Sequence, residues 1–377
     1  MRVALVIAGP YPAHRGSQVL VSHLARGLGE RGHDVRVVTY GERRGRRPGP
    51  RPARIVLDAV LVARLWRVVR RERIDVIHAH NYEAAIAGLL VGRATGRPLV
   101  YHGHSALAAE LPTYVSGITA RRAMGRLGRL LDAHVPRRAD FCIAVTEDLG
   151  AHLRRTGVHE RSLACIEPAG APDELADGRA AAAEPGLVCY AGNLDGYQNL
   201  EFLLRSFVLV RTAVPGTRLV LVTHADARAH AARMTAAAMP SDVDIVQAAS
   251  YEEVRDRLGA AAVAVCPRAE RSGFPMKLLN YMAAGKAIVA CAGSAKGLVD
   301  GVTARVVPDE DVAGFASAVV ALLRDPAARA RLGSAARQAV ESREAWDRVL
   351  DRIESIYRQV VAGSPRVLLP VAARSDA

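Results

Sequence analysis

Short apolar runs rich in Val, Ile and Leu recur along this chain, each separated from the next by a stretch of helical period, and the series is interrupted once. RVALVIAG (residues 2–9), DVRVVTY (34–40), IDVIHAH (74–80), PLVYHG (98–103) and ADFCIAVT (139–146) read as strands. QVLVSHLARGLGERGH, LDAVLVARLWRVVRRER and AAIAGLLVGRATG, between them, space apolar residues as amphipathic helices do. Strands that are apolar on both faces, alternating with helices, predict α/β architecture with a parallel sheet covered on both sides. The pattern breaks at ADGRAAAAEPG (176–186) and restarts with LVCYAGN, RLVLVTH, VDIVQAA, VAVCP, AIVACAG and ARVVP. This predicts two Rossmann-like domains, 1–172 and 187–340, with a linker at 173–186 and a hinge near 180. A terminal helix over 341–362 is expected to pack back across the hinge, and 363–377 reads as a disordered tail. The default ligand site is a cleft between the carboxyl ends of the two sheets.

Composition narrows the function classes. Half of the 377 residues are hydrophobic, yet no apolar run approaches the roughly 18 residues a membrane span needs. The apolar opening stops at Pro10, too short for a signal peptide, so a cytoplasmic location is expected. Five widely spaced cysteines without a C-x-x-C pair read as buried, reduced thiols. The net charge of +13 suits an anionic partner, nucleotide phosphate or a membrane surface. Nucleic acid is disfavoured, because aromatics are only 5% and do not interleave with the basic clusters.

No G-x-G-x-x-G, no G-x-x-x-x-G-K-[ST] and no G-x-S-x-G occurs in the positions those chemistries require. Three loops at strand ends remain. Arg15-Gly16-Ser17 opens the first helix, where Gly16 can bring backbone N–H groups to a diphosphate, or where Ser17 can cap the helix. GNLDGYQN (192–199) follows the first strand of the second domain and can meet a nucleotide or simply turn the chain. RAERSGFPMKLLNYMAAG (268–285) runs from a strand into a helix on which Lys277 and Asn280 share a face. That face offers a cation for phosphate and an amide for ribose, or it is ordinary exposed helix.

RGSQVLVSHLARGLGERGHDVRVVTY, IDVIHAHN, PLVYHGHS, RRADFCIAVTEDL, YAGNLDGYQNLEFLLRSF and GFPMKLLNYMAAGKAIVA occur in this order, and with them the chain resembles a retaining glycosyltransferase of family 4 with the GT-B fold. The resemblance implies a nucleoside-diphosphate sugar donor held by the second domain and an acceptor (lipid-linked, polysaccharide or small-molecule) held by the first. It also implies retention at the anomeric carbon with no metal ion and no cofactor beyond the donor. Donor contacts carry over to Gly16, Asn193, Gln198, Arg268, Ser272, Gly273, Phe274, Lys277, Leu278 and Asn280. The family places Glu at the positions of Ser272 and Asn280, and Arg and Lys at those of Asn193 and Gln198, so four charged groups become neutral. Lys277 is close enough in the aligned helix to replace a phosphate cation, and Arg268 and Arg271 are further candidates. His104 matches a family histidine near the reacting sugar and is assigned with Lys277 to catalysis. His102 and Glu110 are assigned to the acceptor. The D-x-D pairs Asp242/Asp244 and Asp309/Asp311 read as surface residues.

His78, His80, His102 and His104 come from neighbouring strand ends. A metal site there is disfavoured, since no carboxylate or Cys joins them. Two basic amphipathic helices, 61–73 with Trp66 on its apolar side and 118–138 with Arg121, Arg122, Arg126 and Arg129, suit peripheral contact with an anionic membrane or a solvated face. The competing functions are a nucleotide-sugar epimerase on the same fold and a non-catalytic sugar-nucleotide-binding scaffold.

Overall fold

A computed structural model of the chain describes residues 1–13, 16–41, 52–169, 183–224, 242–271, 273–343 and 345–363. Arg15, the basic loop 42–51, Ser272, most of the expected linker and the tail from 364 lie outside the described residues. The chain divides into two compact units. One comprises Met1–Pro168, Ser272–Phe274 and the described residues of Ala345–Ala377; the other comprises Ala169–Arg271 and Pro275–Glu344.

In the first unit the order is β1 (Arg2–Ile7), α1 (Gly16–Glu30), β2 (Asp34–Thr39), α2 (Pro52–Arg71), β3 (Val76–His80), α3 (Asn81–Thr95), β4 (Leu99–Gly103), α4 (Leu107–Glu110), α5 (Ile118–His134), β5 (Phe141–Ala144), α6 (Glu147–Arg155) and β6 (Leu163–Cys165). All strands are parallel, in the order β2-β1-β3-β4-β5-β6. β1, β3, β4 and β5 are buried on both faces almost throughout, which is why their sequences are continuously apolar. Helix α2 starts earlier than its apolar period suggests and buries Leu61, Leu65 and Val69. Trp66 is 41% exposed beneath the Arg70 guanidinium, so it is not on the buried side as expected. Ser17 lies inside α1, its hydroxyl donating to Gln18 Oε1 at 2.9 Å, and does not cap it. Thr146 does cap α6, accepting from the Leu149 N–H at 3.1 Å.

The second unit runs β7 (Leu187–Ala191), α7 (Leu200–Ala213), β8 (Arg218–Thr223), β9 (Val243–Gln247), α8 (Tyr251–Ala260), β10 (Val263–Cys266), α9 (Lys277–Ala283), β11 (Ala287–Cys291), β12 (Arg305–Val307), α10 (Val312–Arg324) and α11 (Pro326–Glu341). Its sheet is also all parallel, ordered β12-β11-β10-β7-β8-β9. Tyr190, Phe202, Phe207, Leu221, Val265, Val289 and Phe315 are among its core, with Phe202 and Phe315 edge to face at 5.3 Å. Asp311 caps α10 and Asp325 caps α11, followed by Pro326 in the first turn.

Within 341–362, where one helix is expected, Glu341 ends α11 and a single helix, α12 (Trp346–Ala362), follows and belongs to the first unit. Arg31 in the turn after α1 donates to Asp347 and Asp351 at 2.9 and 2.6 Å, and His33 meets Glu354 at 3.0 Å. Gly27 of α1 permits close packing, since a Cβ there would lie 2.6 Å from Leu350 Cδ1.

Each sheet has a point where the chain reverses its direction of strand addition, between β1 and β3 in the first unit and between β7 and β10 in the second. In open parallel sheets, ligands bind at the carboxyl ends of such strands.

Candidate functional site

At the switch point of the second unit the loop after β7 meets the segment after β10. Asn193 shapes the first: its side-chain oxygen accepts from Asp195 N–H at 3.2 Å and its amide donates to Tyr197 OH at 2.9 Å. Asn199 closes the loop in the left-handed conformation, φ 59, and donates to the Pro267 carbonyl at 3.3 Å, tying the two segments together. Asn193, Gln198, Arg268 and Lys277, called from different parts of the sequence, thus fall into one neighbourhood.

Lys277 is its centre. The ammonium donates to Gln198 Oε1 and to Tyr190 OH, both at 2.6 Å, and lies 3.9 Å from the centroid of the Tyr190 ring. Burial pushes its pKa down to about 7. Gly192 makes room for it, because a Cβ there would stand 3.0 Å from both Lys277 Cε and Nζ. Tyr190 OH in turn donates to the Asn193 carbonyl at 2.5 Å. Arg268, 7% exposed, pairs with Glu270 and lies 5.2 Å over the Tyr197 ring, while its Nε has no hydrogen-bond partner among the described residues. Tyr281 on α9 ties that helix to β7, accepting from Ala191 N–H at 2.8 Å.

Other called residues fall differently. Leu278 and Phe274 have buried side chains, and Gly273 is buried as well. Asn280 is half-buried, and its amide makes no side-chain hydrogen bond among the described residues. Arg271 is exposed and bonded to Asp309 at 3.0 Å. Asp309 also accepts from Gly293 N–H at 2.8 Å, so it braces this loop instead of standing free on the surface. Gly16 opens α1 in the first unit.

The first unit assembles the four histidines. His78 and His80 are two apart on β3 and share a face, and His80 is registered opposite His102 on β4. Neighbouring rings stack at centroid distances of 4.6 to 5.3 Å. His78 Nδ1 meets Tyr357 OH of α12 at 2.6 Å, His78 Nε2 meets His102 Nδ1 at 3.1 Å, and His80 Nδ1 meets His104 Nε2 at 3.0 Å. Burial lowers every one of these pKa values, that of His78 to about 3 and that of His104 to about 4, so all four rings are neutral at pH 7.

Glu110 ends α4, its carboxylate accepting from Ser105 and from Tyr114 OH at 2.6 Å. The residue that sets this segment in place is Asp132, unmarked in the sequence because it sits within a basic helix. Its buried carboxylate accepts from Leu107 N–H at 3.0 Å, Ala108 N–H at 3.1 Å and Tyr82 OH at 2.6 Å, and meets His152 Nε2 at 2.9 Å. Tyr190, Tyr281 and Tyr357 were likewise missed, since each reads as apolar core until the fold shows what its hydroxyl touches, and Tyr197 was passed over within its polar loop.

Residues 14–169 match the Glycosyltransferase Family 4 model, and residues 185–325 match the Glycosyl transferases group 1 model. The chain is 27% identical over 345 residues to D-inositol 3-phosphate glycosyltransferase of Streptomyces avermitilis, covering 86% of this chain and 73% of that one. It is 27% identical over 317 residues to glycogen synthase of Mycobacterium tuberculosis, covering 80% and 73%. Among solved structures, sucrose-phosphate synthase from Thermosynechococcus elongatus superposes with a TM-score of 0.79 at 20% identity, over 96% of this chain and all of that one. Anabaena HepE in complex with UDP-glucose superposes with a TM-score of 0.72 at 15% identity, over 95% and 100%. These likenesses establish the GT-B type of fold and give no support to the epimerase reading.

Proposed function

This chain belongs to the family 4 glycosyltransferases, and on that premise we propose that its second unit holds the diphosphate of a nucleotide-sugar donor at Lys277, Arg268 and Gln198, while its first unit holds the acceptor. It is a nucleotide-sugar-dependent glycosyltransferase. The observation that carries the donor assignment is the convergence of Lys277 with Gln198, 2.6 Å apart, beside the switch point of the sheet. Relatives of the family carry a cation where Gln198 stands. Here the cation arrives from α9 and reaches the same spot.

In this reading Lys277 and Arg268 balance the charge that develops on the departing diphosphate, so the transfer runs without a metal ion and without a cofactor beyond the donor. The enclosed Arg268 Nε is a donor awaiting an acceptor atom. Asn193 and Asn280 supply neutral hydrogen bonds, with Gly16, Ser272, Gly273, Phe274 and Leu278 completing the donor contacts. His104 and Glu110 serve the acceptor and reacting sugar, with retention at the anomeric carbon, while His102, expected beside them, is only 1% exposed.

The test is thermal stabilisation by UDP-, GDP-, ADP- and TDP-sugars, with Lys277→Ala and Asn280→Ala beside the wild type. One nucleotide class should raise the melting temperature by mass action and lose that effect in Lys277→Ala. No shift with any donor at millimolar concentration would refute the donor assignment, whereas a shift without transfer to any acceptor would favour the non-catalytic scaffold.

The protein acts at the cytoplasmic face of a membrane in the same proposal. No described helix is long and apolar enough to span one. On α5, however, Ile118, Leu127 and Leu130 are 68, 38 and 56% exposed among the exposed Arg121, Arg122, Arg126 and Arg129. Apolar side chains ringed by arginines suit an anionic lipid surface. Sedimentation with anionic but not neutral vesicles supports this, and binding to neither at low salt overturns it.

A further inference from the structure

We propose that His78, His80 and His102 form a binding site for one divalent transition-metal ion of the zinc type in the first unit.

The three side chains are 0, 0 and 1% exposed, and each offers a ring nitrogen such that these atoms all lie within 4.8 Å of one another. No other group of three or more His, Cys, Asp or Glu side chains among the described residues has this property. The strand register enforces the grouping: two positions on one face of β3 and one directly across on β4 leave the rings no choice but to converge.

The polar atoms are incompletely used. His80 Nε2 and His102 Nε2 are enclosed and have no hydrogen-bond partner among the described residues. A buried polar atom left unpaired is costly, and two of them in one cluster of stacked imidazoles mark a place where an electron-pair acceptor fits. Nitrogen donors alone suit zinc, copper, cobalt or nickel and not magnesium or calcium.

Zn–N bonds of about 2.0–2.1 Å in a tetrahedral shell set neighbouring nitrogens roughly 3.4 Å apart, so the rings must close inward by about an ångström. His78 already has its outer partner, Tyr357 OH at 2.6 Å on Nδ1. With that nitrogen held, Nε2 can exchange its contact with His102 for the ion, the arrangement by which second-layer hydrogen bonds orient metal-bound histidines. Three protein nitrogens leave a fourth position, open to water.

The test uses the full-length, tag-free protein after dialysis against a chelator. Titration with Zn2+ by calorimetry should show one equivalent, and Co2+ should give visible absorption with the intensity of a tetrahedral site. His80→Gln and His102→Gln should each weaken binding by about a hundredfold and Tyr357→Phe by about tenfold, while the exposed His159→Gln leaves it unchanged. Circular dichroism and melting curves identify variants that remain folded. Should either histidine variant fail to fold, a rise in the wild-type melting temperature with Zn2+ but not Mg2+ gives the same answer, as does unfolding on chelation that Zn2+ reverses. Folded, chelated wild type that binds neither Zn2+ nor Co2+ at millimolar concentration overturns the proposal. So does stoichiometric binding that survives in both His80→Gln and His102→Gln.

Discussion

Replacing Lys277 by Met should make the ligand-free protein more stable while weakening its hold on the donor. The ammonium is held in a site that burial renders hostile to charge, with its pKa brought from 10.5 to about 7. Each unit of displacement corresponds to about 1.4 kcal/mol, so the charged side chain costs the folded state up to about 5 kcal/mol at pH 7 and below. Met fills similar volume without the charge. Tyr190 OH keeps its bond to the Asn193 carbonyl, but Gln198 Oε1 loses its donor, which returns about 1–3 kcal/mol of that gain. A net gain of roughly 2–4 kcal/mol remains, a rise of several degrees in melting temperature for a domain of this size.

The sign of the pH dependence is specific. Between pH 7 and 10.5 the unfolded chain binds a proton at this lysine that the folded chain has released, so wild-type stability climbs through that window. The variant lacks this contribution, and its advantage should therefore shrink from pH 7 to pH 9 by about 2–3 kcal/mol. Donor affinity should fall by about 10–100-fold, the worth of one charge-assisted contact to a diphosphate. Denaturant melts of both proteins at several pH values, beside donor titrations, read both quantities. A variant less stable than wild type at pH 7, or a difference in stability that does not change up to pH 9, would refute the reasoning.

Four further outcomes are expected. Gln198→Lys should weaken the fold by setting a second ammonium against Lys277, whereas Gln198→Lys combined with Lys277→Gln should recover donor affinity, as seen in binding titrations. Gly293→Ala should lower stability by more than 2 kcal/mol, about the cost of a forced overlap, because its Cβ would stand 2.0 Å from the Ala269 carbonyl oxygen; denaturant melts measure it. Asp132→Asn, which cannot accept all four of its present contacts, should cost about 2–4 kcal/mol, with faster hydrogen exchange at Leu107 and Ala108 as its signature. Tyr281→Phe should cost about 1 kcal/mol through loss of the bridge to Ala191, with the fold unchanged by circular dichroism.

Much of the fold was legible because parallel strands covered on both faces must be apolar throughout, and VALVI, VIHAH and VCYA say so directly. The strand ends, and hence the loops worth inspecting, followed from the same pattern. The partners in the candidate donor site were not legible. Tyr190 is the fourth residue of β7 and reads as core; only the three-dimensional register brings its hydroxyl to Lys277. Asp132 looks like a surface residue of a basic helix until the backbone of Leu107 and Ala108 is seen to fold onto it. For the histidines, spacing announced the cluster, but judging it by the absence of Cys and carboxylate overlooked that ring-nitrogen separation, which sequence does not contain, decides ligation. The boundary expected at 340/341 matches the end of α11 at Glu341, while the start of α12 at Trp346 lies five residues further on.

The return of α12 to the first unit has a consequence for the order in which the protein is made. Ribosomal synthesis delivers β1 through β6 first, then the whole of the second unit, and only afterwards the segment whose Asp347, Asp351 and Glu354 engage Arg31 and His33 and whose Tyr357 reaches His78. Until then the first unit carries an uncovered strip along α1 and the carboxyl ends of β3 and β4, while the second unit, built from a nearly continuous stretch of chain, can already be complete. The unit that starts first on the ribosome therefore finishes last, and a nascent chain stalled before Trp346 leaves Gly27, Arg31, His33 and His78 without the partners that α12 brings them, open to whatever holds the chain in the meantime.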